Sequence, residues 1–202
     1  MRMFQRAEEP AVLRENHERW SKQWVESIQL KPGAKFSWYQ FEGKSAREHI
    51  LPSLAEQTAE HCSFCDAFPV RGVSKETIEH FRPKSQFPSL SYSWINLYYC
   101  CDACQSAKGE SWDDLLLNPD ATDYSCSRYF EFDFTTGEIK PNAMSEIQDQ
   151  QRAIKTIELY GLDSSHRRRN RLQEMRKMGR TDVSLIESQL WAYRDFLGVN
   201  SQ

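Results

Sequence analysis

Two thiol pairs, Cys62-Ser63-Phe64-Cys65 and Cys101-Asp102-Ala103-Cys104, constrain this chain more than any other feature. A two-residue gap lets both sulfurs of a pair reach neighbouring corners of one tetrahedron, so the two pairs together supply the four soft ligands of a structural Zn²⁺. A metal held this way pins shut the segment between the pairs. That segment carries Glu79, His80 and Asn96, and Gln105 follows the last cysteine directly. Buried reduced thiols are the plainer alternative, but two pairs with equal gaps are improbable by chance. A redox pair is disfavoured because neither knuckle lies in a βαβ setting. Cys100 competes with Cys101 for the fourth position, yet only Cys101 has the two-residue gap to Cys104. Cys100 and Cys126 are left without a role.

At 202 residues, 39% hydrophobic and 12% aromatic, the chain has enough apolar material for one soluble globular unit. The first ten residues are polar and charged, so no signal peptide is expected, and no run approaches the roughly 18 apolar residues of a membrane span. The expected location is the cytoplasm, where reducing conditions favour metal ligation over disulfides. A formal net charge of -3 argues against coating nucleic acid by bulk electrostatics. Contact with phosphate must then be local, and Arg71, Lys75, Arg82, Lys84 and Lys108 give the knuckle-bounded segment a modest positive excess over Glu76, Glu79 and Asp102. A denser basic run at residues 166–171 reads first as a solvated helix face, with phosphate or partner binding as the competing reading.

Apolar periodicity predicts a helix from Pro10 to about Ser27 through Val12, Trp20 and Trp24, and a second over residues 45–58 that delivers the chain to the first knuckle. Residues 73–80 read as a strand, 81–93 as a loop, 95–100 as a second strand and 102–107 as a short helix. The alternation over residues 129–140, crossing Thr135-Thr136-Gly137, predicts a β-hairpin. Beyond residue 145 the period is helical. Ile147, Ile154, Ile157 and Leu162 suggest one helix, Leu172, Met175 and Met178 another, and Leu185, Ile186, Leu190, Trp191 and Phe196 a last one. The expected architecture is one α+β domain over 1–202. It comprises an N-terminal helical segment 1–60, a zinc-bounded core 61–109, a hairpin region 110–144 and C-terminal helices 145–202. Trp94 is expected in the core, His49 and His61 on the surface, and His61 alternatively beside the zinc ligands.

Hydrolysing a phosphodiester near neutral pH needs a base for water and a cation to offset developing charge. Glu79-His80 offers a carboxylate suited to Mg²⁺ or Mn²⁺ and an imidazole suited to proton transfer. Neighbours in a strand point to opposite faces, so the two cooperate only where the chain bends, as at Phe81-Arg82-Pro83. The ordered string Thr77-Ile78-Glu79-His80-Phe81-Arg82-Pro83-Lys84, then Trp94-Ile95-Asn96-Leu97, then Cys101-Asp102-Ala103-Cys104-Gln105-Ser106-Ala107-Lys108-Gly109 resembles the HNH endonuclease motif in its zinc-stapled form. Strand, loop, strand and short helix agree with that family's ββα-metal unit. Arg6 and Pro10, residues 83–88 with Tyr92-Ser93-Trp94, and Phe130, Phe132, Asp133, Gly137, Ile139 and Pro141 extend the resemblance to PtuB-like proteins, the HNH subunits of Septu-type and retron-associated antiphage systems.

The resemblance implies His80 as general base, Glu79 as a ligand of a catalytic Mg²⁺ or Mn²⁺, and Asn96 as the residue that pins the loop and orients His80. Gln105 stands where the family carries Asn or His as a second metal ligand, a departure that keeps an amide oxygen on a longer arm. Arg82, Lys84 and Lys108 are implied phosphate contacts; for Lys108 a surface position beside a turn is an equal reading. Implied partners are a PtuA-like ABC-type ATPase, a DNA or RNA substrate and, in retron loci, a reverse transcriptase with its RNA–DNA product. The alternative function is a zinc-stabilised adaptor of the same kind of complex that has lost activity.

Overall fold

Leu97–Cys101 is buried at every position, and the rest of the molecule is arranged around this strand. The computed structural model describes residues 1–180 and 190–198. The elements in chain order begin with helices α1 (Ala11–Arg14) and α2 (His17–Leu30), the short strands β1 (Gln40–Phe41) and β2 (Lys44–Ser45), and helix α3 (Ala46–Gln57). A helical turn α4 (Val70–Val73), strands β3 (Glu76–His80) and β4 (Leu97–Cys101), and helix α5 (Asp102–Lys108) follow. The C-terminal part adds α6 (Cys126–Tyr129), β5 (Phe130–Phe132), β6 (Ile139–Pro141), α7 (Ile147–Leu159), α8 (Ser165–Met178) and α9 (Arg194–Leu197). The chain is thus mixed α+β, with three two-stranded antiparallel sheets among the described residues. No helix among them is long and apolar enough to cross a membrane.

The helix expected from residue 10 is broken in two. Asn16 is buried, and its Nδ2 donates to Val12 O at 3.0 Å, so a side chain competes with the backbone ladder at the junction of α1 and α2. α3 forms where expected, with Ser45 at its N-cap and the Ser45 N–H donating to Glu48 Oε1 at 3.1 Å. β3 starts only at Glu76, because residues 70–73 close a helical turn in which Ser74 N donates to Val70 O at 2.8 Å. β4 likewise begins two residues late. Residues 94–96 form a 3₁₀ turn spanned by Arg6, with Nη1 donating to Trp94 O at 2.7 Å at its start and to Leu97 O at 3.1 Å just past its end.

β3 and β4 pair from Glu76 opposite Cys101 to His80 opposite Leu97, and α5 follows without a linker. The hairpin β5–β6 turns on Asp133, whose Oδ1 accepts from the Thr135 and Thr136 amides at 2.7 and 3.1 Å. Gly137 is required there: φ is +73°, and a Cβ would lie 2.4 Å from Arg168 O. α7 buries only part of the expected set: Ile157 packs on the core and Leu162 beyond the helix is buried, but Ile154 is exposed. Asp149, Ala153 and Thr156 point inward while Ile147 is 76% exposed. Of the last predicted helix, residues 185 and 186 lie outside the described residues; Trp191 and Phe196 are buried, and α9 is one turn long.

Candidate functional site

The first knuckle is a tight turn, with Asp66 N donating to Cys62 O at 2.9 Å and Cys62 N to Ala67 O at 3.0 Å. Ser63 N donates to Tyr99 O at 3.0 Å, which ties this turn to β4. The second knuckle runs from the last residue of β4 into the first turn of α5. As a result the Sγ atoms of Cys62, Cys65, Cys101 and Cys104 all lie within 4.8 Å of one another, and all four residues are buried. Cys100 is not in this set; its thiol donates to Cys101 O at 3.3 Å. Every cysteine is free of disulfides. Burial pushes the Cys62 and Cys104 thiols well up, whereas hydrogen bonds from the neighbouring cysteines lower Cys101, and Cys65 is lowered as well. Four soft donors at this mutual reach fit one structural metal such as Zn²⁺.

Arg167, from the basic run on α8, is buried, and its Nη2 donates to Cys104 Sγ at 3.0 Å. Arg171 is also buried and donates to Gly137 O at 2.6 Å and Leu162 O at 2.9 Å. The reading of this run as a solvated face is corrected for both residues, because anionic sulfur and unsatisfied carbonyls offer partners that outweigh the loss of water. His61 is corrected in the same way. Its ring is 1% exposed, set between Ala59 O at 2.7 Å and Trp191 O at 3.0 Å, and burial lowers its imidazole pKa.

His80 closes β3. Its Nε2 is 2.9 Å from Ser91 O, and since a carbonyl only accepts, the proton sits on Nε2 and leaves the Nδ1 lone pair free of it. The ring stacks on Trp38 at 5.7 Å with 19° between planes, and meets Phe36 edge-on at 5.4 Å. Burial, helped by the Lys84 charge, lowers its pKa to about 3. His80 lines an open cleft of about 480 Å³ together with Gln105, Phe36 and Trp38. Arg47, Lys75 and Lys84 supply its charge, and among the described residues no carboxylate lines it.

Asn96 clasps the loop that follows His80. Its Oδ1 accepts from Arg82 N at 2.8 Å, and its Nδ2 donates to Arg82 O at 3.0 Å and Leu90 O at 3.1 Å. Arg82 is exposed and lies over the Phe87 and Trp112 rings at 5.6 and 5.4 Å. Lys84 Nζ reaches Glu110 at 3.2 Å. Lys108 is neither on the surface nor available to phosphate, which corrects both readings of it. Its side chain is 0% exposed, with Nζ 2.6 Å from Glu79 Oε1 and 3.0 Å from His80 O. Burial pushes the Glu79 carboxyl up to about 7 against the opposing pull of Lys108.

Gln105 and His80 therefore share the cleft, and Glu79 does not line it. For Mg²⁺ or Mn²⁺ the donor set as placed does not fit: Glu79 is committed to a buried ammonium, and Gln105 spends Nε2 on Ile78 O at 2.9 Å, leaving one neutral amide oxygen and the His80 imidazole, with no carboxylate, among three cationic side chains. Phe36, Trp38 and Arg47, which wall the cleft, belong to the N-terminal segment and escaped the sequence reading of the site. Their signal, four aromatic residues within 36–41, marks a packed stretch without naming what it packs on.

No family model matches the chain. Over 75 residues it is 29% identical to the Septu protein PtuB of Bacillus thuringiensis. The match takes in 36% of this chain and spans 29% of that protein's length.

Proposed function

We propose that the chain is the phosphodiester-hydrolysing subunit of a Septu-type defence complex, with the β3–β4–α5 unit as its ββα nuclease core. The observation that carries this reading is the His80 tautomer. Ser91 O holds the proton on Nε2, so Nδ1 is the basic nitrogen of a ring that lines a cleft walled by Arg47, Lys75 and Lys84. In the proposed step Nδ1 takes a proton from water, the water oxygen forms a bond to phosphorus, and the ester oxygen leaves and is protonated by solvent. The three cations offset the charge that develops on the phosphate. A pKa near 3 keeps His80 neutral at working pH but makes it a weak base; a phosphate entering the cleft adds the negative charge that raises it.

DNA or RNA is the substrate class, the cytoplasm the location, and a PtuA-like ATPase the partner; a reverse transcriptase and its RNA–DNA product join in a retron setting. No step is assigned to Mg²⁺ or Mn²⁺. A cleft without a carboxylate favours a second reading, the zinc-stabilised adaptor without activity. Cleavage assays on the chain co-expressed with a PtuA-like ATPase separate the two. His80→Ala should lower the rate about 10²- to 10⁴-fold with zinc content and fold unchanged. Equal cleavage by the variant, or none by the parent complex, rejects the hydrolase.

A further inference from the structure

Three carbonyls of β3, those of Glu76, Ile78 and His80, are each held by a side chain from outside the sheet. Carbonyls two residues apart in a strand project to the same side, so these three form one edge. Arg47 Nη2 donates to Glu76 O at 2.9 Å, Gln105 Nε2 to Ile78 O at 2.9 Å and Lys108 Nζ to His80 O at 3.0 Å. Gln105 and Lys108 are one turn apart on α5, which places them on one helix face. Side chains thus stand where a further strand would pair, and the last of them grips the peptide of the residue that carries the base.

We infer that Lys108, with Glu79 as its buried counter-ion, is a positioning residue for His80, and that Glu79 is not a ligand for a divalent cation in the cleft; this rests on the reading of His80 as the base. The Lys108 and Glu79 side chains are 0% and 4% exposed. Among the described residues, Lys108 has no other carboxylate within salt-bridge distance. Moving Glu79 onto a metal would leave an ammonium buried without its counter-charge, a costlier state than the pair itself. The other end of α5 is fixed by Cys104 in the thiol cluster, so the helix spans from the metal knuckle to the backbone of His80.

Two measurements on the full zinc-loaded chain test this, neither of which needs cleavage. Mn²⁺ titration followed by electron paramagnetic resonance should give the same Kd, or the same lack of binding, for the parent and Glu79→Gln. A tenfold weakening in the variant would overturn the inference, because it would make Glu79 a ligand. In chains labelled with ¹⁵N-histidine, Lys108→Met should move or broaden the His80 ring signals while zinc content stays that of the parent. Coincident signals would overturn the positioning role. Should Lys108→Met not fold, Glu79→Gln replaces it with a smaller displacement of the same signals, and again coincidence overturns it. In the active complex, Lys108→Met should lose on the order of 10² in kcat with KM little changed. If His80→Ala cleaves normally but the ring signals still respond to Lys108→Met, the hydrolase mechanism fails and the pair stands as a structural contact only.

Discussion

The thiol knuckle and the His80 cleft are joined by one helix of seven residues, yet they are opposite in charge and in donor chemistry. At the N-terminal end of α5 four buried sulfurs gather, and the cation that answers them from the protein is Arg167. The cleft beside β3 is lined, among the described residues, by three cations, an imidazole and no carboxylate. The first gathers soft donors, the second positive charge. A single helix keeps them apart while wiring one to the other: Cys104 anchors its first turn, and Lys108 at its last residue holds Glu79 and His80 O.

If the two ends depend on each other in this way, breaking the knuckle should break both. Cys104→Ser should lose the structural zinc and with it the cooperative melt, since the folding of such a site draws directly on metal binding. Elemental analysis with a circular-dichroism melt measures it. A zinc-free variant that melts like the parent and keeps its His80 ring signals would show that cleft and knuckle are independent.

A smaller effect separates the cleft from the knuckle by pH. His80 is lowered from 6.5 to about 3 in the folded chain, so below 6.5 the unfolded state binds a proton that the folded state refuses. Stability is therefore at its full value with respect to this group above pH 6.5 and is lost as pH falls from there toward 3, with a slope of up to about 1.4 kcal/mol per pH unit. His61, also lowered by burial, acts in the same direction. Denaturant melts of the parent and His80→Phe between pH 6.5 and 5, read as a difference, isolate the His80 part. Parallel curves would mean that His80 is not held neutral by its surroundings.

What was legible in the sequence divides along the same line. The knuckle is written as two local pairs whose gaps alone imply convergence, and the four sulfurs do converge. The order of β3, loop, β4 and α5 was legible because alternation, loop residues and helix-stopping Gly109 are local signals as well. The walls of the cleft were not. Trp38 reaches His80 through the packing of the aromatic stretch, and nothing local to residue 38 names residue 80. α7 shows how local apolar period misleads. Ile147 and Ile154 suggested the buried face, but Asp149 turns inward to Arg128 at 2.7 Å and Thr156 Oγ1 accepts from Leu117 N at 3.0 Å. Long-range polar partners decided the orientation, as they did for Lys108 and Arg167.

Arg167 provides the smallest test and the one most specific to the knuckle's charge. Four thiolates around Zn²⁺ carry a net charge of two minus, and a buried guanidinium 3.0 Å from Cys104 Sγ offsets part of it where salt screens little. Arg167 is 6% exposed, so water does not substitute for it without rearrangement. Arg167→Met keeps an apolar stem in the same space and removes both the charge and the donor. Zinc affinity should fall about 10- to 100-fold, the usual size of an outer partner's effect on a metal site. Arg167→Lys, which keeps the charge but not the planar fork, should fall between. Competition with a chromogenic chelator reads both directly. A methionine variant that holds zinc as tightly as the parent would mean that the sulfur cluster does not feel Arg167, and that of the two ends of α5 only the Lys108 end depends on a buried counter-charge.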